Sequence, residues 1–108
     1  MNVVALAALR DFWTVHPQAE GPLTTWHTTV SNSTWTGPQD IKNAFGSADF
    51  IGDNRVIFNI GGNDYRLICR VSYTFKAVQI KFVGTHAEYN KVNALTVGNP
   101  KEKQTRKR

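Results

Sequence analysis

The sequence predicts an α+β domain in which two N-terminal helices pack on one face of a small, curved antiparallel sheet, followed by a short C-terminal helix. Apolar residues recur at helical spacing before residue 31, whereas apolar and polar residues alternate between residues 55 and 83. The run Gly61-Gly62-Asn63-Asp64 separates two alternating segments and is typical of a hairpin turn. Helical cover on one face would leave the opposite face of the sheet open.

The first half of the chain is expected to be mainly helical. A short strand over residues 2–4 precedes a helix that starts near residue 5 and ends before Pro17, because the residue before a proline avoids the helical region. A second helix is expected over residues 18–31, and a third, short helix over residues 38–45.

The second half alternates as β-strands do. Strands are expected over residues 55–60, 65–73 and 78–83, followed by a helix over residues 86–94. Successive side chains of a strand point to opposite faces, so each strand presents one set to the core and one away from it.

Three arginines are predicted to share the open face. If Leu67 and Cys69 point into the core, Arg66 and Arg70 point away from it, and Arg55 on the preceding strand faces the same way. The outward positions of the two central strands contain no acid, although a solvated face usually mixes both signs. An ordinary solvated face is the competing interpretation, since every half-buried sheet needs one.

The last strand is predicted to add a lysine to this face. Alternation places Ile80 and Phe82 in the core, and it places Lys81 outside together with Gln79 and Val83. The open face would then hold half of the eight cations found in residues 1–100.

The net charge of +5 is concentrated at the C-terminal end. Residues 101–108 carry five basic residues and one acid, whereas residues 1–100 carry eight basic and seven acidic residues. Binding of a polyanion by the folded part must therefore depend on where its cations lie. We expect residues 1–97 to form the folded domain and residues 98–108 to form a disordered basic tail.

Cys69 is the single cysteine, which excludes an intramolecular disulfide and fits a reducing compartment. A buried position in a strand is its expected role. The sequence has no CxxC or HExxH motif, and we expect neither a metal nor another cofactor. The apolar run over residues 3–9 lacks a cationic segment before it and is too short to span a bilayer, so we expect a cytoplasmic protein without membrane contact.

The segment from Thr85 to Asn90 follows the cationic strands. On a helix His86, Tyr89 and Asn90 lie on one side, at positions i, i+3 and i+4. Thr85 and Glu88 have the spacing of a capping box, which gives Glu88 a structural role. Imidazole groups titrate near neutral pH, so His86 is the leading candidate for proton transfer. Packing against the domain is the competing role for Tyr89.

These segments resemble the HigB toxin family of the RelE superfamily over residues 1–93. The similarity is strongest in Ser47-Ala48-Asp49, in the strand–turn–strand run of residues 55–68, and in Gly84-Thr85-His86-Ala87-Glu88-Tyr89. It extends to Ala8-Leu9-Arg10-Asp11-Phe12-Trp13, to Pro22-Leu23 with Trp26, and to Asp40-Ile41-Lys42. The chain departs from the family at Asn90, where an aspartate is usual, and in its second helix, which lacks the usual lysines and arginines.

The resemblance implies a toxin that acts as a ribosome-dependent mRNA endoribonuclease, or mRNA interferase, and inhibits translation. It also implies a cognate HigA-like helix-turn-helix antitoxin as partner. The candidate catalytic residues are His86, Lys81, Arg66 and Tyr89. The candidate RNA-binding residues are Arg70, Arg55, Lys91 and Lys42.

Metal-independent cleavage would need a charged group on the phosphate and groups that move protons. Arg66 and Arg70 are expected on the phosphate, because a guanidinium donates to two oxygens at once. His86, Lys81 and Tyr89 are candidates for the base and the acid. Two other functions remain open: a non-catalytic RNA- or ribosome-binding module, and a protein-interaction domain that uses the open sheet face.

Removal of residues 101–108 is expected to leave the fold intact and to weaken binding of RNA. These residues supply most of the net charge, and exposed cations act mainly by releasing counterions. The slope of log affinity against log salt concentration should therefore become shallower in the truncated chain. An unchanged slope would show that the tail takes no part in binding.

Overall fold

Five strands and four α-helices make up the computed structural model, which describes residues 1–99. In chain order they are β1 (Asn2–Val4), α1 (Ala7–Val15), α2 (Glu20–Ser31), α3 (Pro38–Ala44), β2 (Asp49–Ile51), β3 (Arg55–Ile60), β4 (Tyr65–Ser72), β5 (Ala77–Thr85) and α4 (His86–Tyr89). A 3-10 turn over Pro17–Ala19 joins α1 to α2. The α+β class expected from the sequence is confirmed.

The strands form one open sheet in the order β1-β5-β4-β3-β2. The pairs β2–β3, β3–β4 and β4–β5 are antiparallel, whereas β1 runs parallel to β5. The sheet is therefore mixed rather than purely antiparallel. The long connection from β1 to β5 contains every other element except α4, so no hairpin fixes the relative direction of these two strands.

The hydrophobic core lies between one face of the sheet and the helices α1 and α2. Its helical side includes Leu9, Leu23 and Trp26, each no more than 1% exposed. The sheet contributes the inward residues of β3, β4 and β5, and these are Val56, Phe58, Ile60, Tyr65, Leu67, Cys69, Val71, Val78 and Ile80. Cys69 is fully buried as expected, and burial raises the pKa of its thiol.

Strand β2 was not expected from the sequence. It is only three residues long and pairs with β3 across a turn in which Asp53 and Asn54 have positive φ angles of 62° and 58°. Asp and Asn tolerate this left-handed region better than other non-glycine residues. A strand of this length is too short to show alternation, so the turn residues were its one local signal.

A β-bulge in β5 makes the predicted facing of Phe82 wrong. Ile68 is paired with Phe82 but Cys69 with Ile80, so Lys81 is the extra residue of the bulge. Beyond the bulge the alternation changes phase: Val83 lies opposite Leu67 on the core side, and Phe82 lies opposite Ile68 on the other face. Strict alternation had predicted the opposite, with Phe82 in the core and Val83 on the outer face.

The face of the sheet turned away from α1 and α2, here called the outer face, is partly covered. Residues 93–99, here called the strap, lie across it: Arg55 Nη1 donates to the carbonyl oxygens of Ala94 and Val97 at 3.0 and 2.7 Å, and Nη2 to Asn99 Oδ1 at 2.9 Å. Arg55 is fully buried as a result. The predicted open face is therefore open only in part.

The strap also explains two buried residues that the main core does not include. Ile57 and Ile68 are 6% and 0% exposed, yet both lie on the outer face, which α1 and α2 do not reach. Gly98, with φ +81°, approaches the backbone of Lys81 so closely that a Cβ atom would lie 2.6 Å from its carbonyl oxygen. The strap is thus packed on the sheet and encloses a second, small apolar layer.

Two expected boundaries near the C-terminus, those of the last helix and of the tail, differ from the structure. The helix predicted over residues 86–94 ends at Tyr89, because the chain has to turn before the strap can reach Arg55. Gly98 and Asn99, assigned to the tail, contact the sheet. The remaining residues of the predicted tail, 100–108, lie outside the described part of the chain.

Substitution of Arg55 by methionine should lower the free energy of unfolding by roughly 1–3 kcal/mol, because the carbonyl groups of Ala94 and Val97 lose their donors. Arg70→Met is the matched control. Arg70 Nε lies 3.4 Å from Asp53 Oδ1 with 45% of its side chain exposed, and exposed ion pairs contribute less than about 1 kcal/mol. Urea unfolding of both variants measures the difference. Equal destabilisation would contradict the structural role of Arg55.

Candidate active site

Arg66 and Tyr89 form the centre of the exposed part of the outer face. Arg66 lies opposite Gly84 in the β4–β5 pair, and its guanidinium carbon is 5.6 Å from the centre of the Tyr89 ring. Arg66 Nη1 also donates to the carbonyl oxygen of Asn63 at 3.2 Å. Both side chains are partly exposed. The stacked geometry holds the guanidinium in place and leaves further N–H donors free for a phosphate.

His86 lies on the short helix α4, three residues before Tyr89. Thr85 begins the helix with a complete capping box: its side chain accepts from the N–H of Glu88, and Glu88 accepts from the N–H of Thr85. The backbone N–H of His86 donates to the carbonyl oxygen of Asp64 at 3.2 Å, which ties α4 to the β3–β4 turn. The predicted capping box and the predicted position of His86 on a helix are confirmed.

The imidazole of His86 is oriented by Asn90. Asn90 Nδ2 lies 3.3 Å from His86 Nδ1, and the tautomer of the ring determines the direction of this hydrogen bond. The imidazole is exposed, so its Nε2 atom is accessible to a ligand.

Lys81 lies in the bulge of β5 and is partly exposed. The close approach of Gly98 fixes its backbone, and the structure records no ion pair for its side chain within residues 1–99. Lys81 therefore remains available as a cation on this side of the sheet.

Arg55 and Arg70 are not part of the cluster. Arg55 is buried beneath the strap, so the prediction that it lies on an open RNA-binding surface is wrong. Arg70 is four residues from Arg66, about 13 Å along the strand. Its Nε donates to the carbonyl oxygen of Asp53 at 3.2 Å, away from Arg66. Arg66 and Arg70 therefore do not converge on one phosphate. Asp53 is an acidic neighbour of Arg70 that the alternation of the strands did not predict.

The other two candidate RNA-binding residues lie on different elements. Lys42, on α3, donates to the carbonyl oxygen of Ala48 at 2.9 Å and so stabilises the entry into β2. Lys91 is exposed just after α4. Lys91 is thus near His86 and Tyr89 in the chain, whereas Lys42 is used within the fold.

Phe82 joins the outer face although the sequence had placed it in the core. Its ring lies across Gly84: a Cβ atom on Gly84 would be 2.5 Å from Phe82 Cζ. The ring also borders a groove of about 410 Å³ whose other walls are the end of α1 and the segment after α4. The sequence did contain one signal for this position of Phe82. Gly84 follows it by two residues in the same strand, and a glycine there leaves room for an aromatic ring on the same face.

The described residues show no other candidate centre. No three His, Cys, Asp or Glu side chains gather as metal ligands within residues 1–99. None of the helices found in this part of the chain has the length and apolarity needed to cross a membrane.

An open five-stranded α+β sheet with a short C-terminal helix is compatible with the fold of a RelE-like toxin. The family described as HigB_toxin, the RelE-like toxic component of a toxin–antitoxin system, matches residues 19–92, so the chain belongs to the HigB toxin family. The predicted family is confirmed.

Curated relatives extend this similarity to most of the chain. An Escherichia coli protein named mRNA interferase toxin HigB is 29% identical over 97 residues, which cover 88% of this chain and 93% of the relative. The mRNA interferase HigB of Shigella flexneri has the same identity and coverage. An mRNA interferase HigB from another Escherichia coli strain is 23% identical over 94 residues, which cover 85% of this chain and 91% of the relative.

Substitution of Thr85 by alanine should loosen α4, because it removes the side-chain acceptor of the capping box. Loss of such a cap costs about 0.5–2 kcal/mol. Hydrogen exchange of the amides of residues 86–90 should accelerate while that of β4 is unchanged. Thr14→Ala is the control, since that hydroxyl donates within α1 to the carbonyl oxygen of Arg10. Unchanged exchange at residues 86–90 would mean that the capping box does not hold the helix.

Proposed function

We propose that this chain is the toxin of a toxin–antitoxin pair and acts as an mRNA interferase, a ribosome-dependent endoribonuclease that inhibits translation in the cytoplasm. The observation that carries the proposal is the cluster of Arg66, Tyr89 and His86: a fixed guanidinium, a phenol and an oriented imidazole on one exposed surface. Membership of the HigB toxin family and the names of the relatives support it.

Arg66 is assigned to the scissile phosphate. During cleavage the ribose 2′-oxygen forms a bond to phosphorus, the bond from phosphorus to the 5′-oxygen breaks, and negative charge accumulates on the non-bridging oxygens. A guanidinium with free N–H donors stabilises that charge, and preorganised donors of this kind are worth a few kcal/mol each. The contact with Tyr89 keeps the guanidinium in place before the substrate binds.

His86 is assigned as the proton donor to the departing 5′-oxygen. For this step the ring is the imidazolium, which gives its Nε2 proton to the 5′-oxygen and becomes neutral imidazole, while the side-chain amide of Asn90 beside Nδ1 orients the ring. The proton of the 2′-hydroxyl passes to a deprotonated base, either the neutral amine of Lys81 or the phenolate of Tyr89. These two assignments are separated by the variants described below. The route uses only side chains of this chain.

A HigA-like helix-turn-helix antitoxin is the proposed protein partner, and mRNA bound to the ribosome is the proposed substrate. Family membership supports an antitoxin partner in general terms. Residues 1–100 carry a net charge near zero, which supports dependence on the ribosome, because the chain has few cations with which to hold free RNA.

The test is expression of the chain without a partner, with growth and the 5′ ends of transcripts measured together. Growth should stop and new 5′ ends should appear inside reading frames. Arg66→Ala and His86→Ala should lower cleavage at least about 100-fold, the usual contribution of a positioned proton donor. Their unfolding free energies should change by less than about 1 kcal/mol, since both side chains lie outside the core.

The variants Tyr89→Phe and Lys81→Met identify the base. The variant that lacks the base should lose activity, whereas the other variant should keep most of its activity. Arg10→Ala is the control for loss of one exposed cation, since Arg10 lies on α1, away from the outer face. Normal growth with soluble wild-type protein and unchanged 5′ ends would refute the function. Folded Arg66 and His86 variants that cut mRNA like the wild type would refute the site.

A further inference from the structure

Phe82 is an aromatic side chain that the core does not use. The bulge at Lys81 turns it to the outer face, where it lies opposite Ile68 and remains partly exposed. Its ring crosses Gly84, and Gly84 is the residue opposite Arg66. The ring therefore lies beside the Arg66 side chain on the same face. Phe82, Arg66 and Tyr89, here called the row, therefore share the outer face, with Arg66 in contact with the Tyr89 ring.

The groove beside this row has the properties of a site for a flat, polar ring. Phe82 forms one wall, and Phe12 with His16 forms another, their ring centres 4.5 Å apart. The volume of about 410 Å³ is larger than a nucleobase requires. Aromatic walls bind unstacked bases by stacking, which is the usual way in which proteins hold single-stranded RNA.

The charges around the groove indicate how a nucleotide would be oriented. Two carboxylates, Asp11 and Glu88, line the groove and disfavour a phosphate inside it. The same groups can accept hydrogen bonds from the amino groups of a base. Lys91 also lines the groove, and Arg66 lies opposite Gly84, over which the Phe82 ring extends. A base fits inside the groove with its phosphate outside, near the cations.

We propose that Phe82 is a base-stacking residue and that the groove it borders binds an unpaired nucleobase of the RNA next to the scissile phosphate. Gly84 is a positioning residue in this arrangement, because any side chain there would displace the ring. The inference rests on the proposed function, since it places the base relative to the phosphate held by Arg66.

The experiment measures kcat and KM for mRNA cleavage on programmed ribosomes. Phe82→Leu keeps an apolar side chain on Ile68 but removes the ring, and it should lower kcat/KM roughly 10-fold, within the range reported for loss of one base–aromatic stack. Phe82→Trp keeps a stacking surface and should retain most of the activity. Gly84→Ala should resemble Phe82→Leu although the phenylalanine is present. Phe75→Leu is the control, because Phe75 is 82% exposed in the β4–β5 turn, away from this site.

A second readout is independent of cleavage. An mRNA that carries 2-aminopurine in the codon exposed on programmed ribosomes should lose fluorescence on binding of the His86→Ala protein, because the probe is quenched when it stacks. Introducing Phe82→Leu should remove the quenching, whereas Phe75→Leu should not. Absence of quenching in the His86→Ala protein would overturn the inference.

The outcomes separate this inference from the function on which it rests. If the wild type cuts mRNA and Arg66→Ala does not, but Phe82→Leu cuts normally, the function stands and the base site is refuted. If Phe82→Leu and Phe82→Trp lose activity equally, Phe82 serves packing and the inference also fails. If Phe82→Leu keeps full cleavage but escapes neutralisation by the antitoxin, the groove binds protein. If the wild type does not cut mRNA, the proposed function itself fails.

Discussion

The burial of one guanidinium determines how the outer face of this protein is organised. Arg55 is fully buried, and a buried charge is tolerated only when hydrogen bonds and opposite charge compensate for lost hydration. Two strap carbonyls, the side chain of Asn99 and the carboxylate of Asp53 at 3.6 Å provide that compensation. The C-terminal segment must therefore cross the sheet, and α4 must end early enough to let it do so.

This constraint divides the outer face into a covered and an exposed part. Ile57 and Ile68 are buried on this face, and on β4 Arg66 and Arg70 lie on either side of Ile68. Arg70 is directed to Asp53, while Arg66 is directed to Tyr89. The exposed cationic surface is therefore limited to a small site at one end of the sheet, where α4 carries His86.

The bulge at Lys81 is a local feature that also changes the composition of the outer face. One extra residue changes which side chains of β5 face outward, so Val83 enters the core and Phe82 leaves it. Bulges are common next to active sites, where they redirect a side chain without disturbing the rest of the sheet. Here the redirected side chain lies beside the arginine assigned to the phosphate, and Gly84 provides the space for its ring.

The sequence by itself determined the fold class, most of the element positions and the local motif around His86. Helical spacing, alternation and the capping box depend on neighbours within a few residues, and the pattern around Thr85 and Glu88 therefore predicted the cap correctly. Only the tertiary structure decided which of the four predicted outward cations are accessible, that Phe82 lies outside, and that β1 is parallel to β5. The physical reason is that these features depend on contacts distant in the chain. Arg55 is covered by residues about 40 positions later, and alternation within its own strand carries no information about that contact.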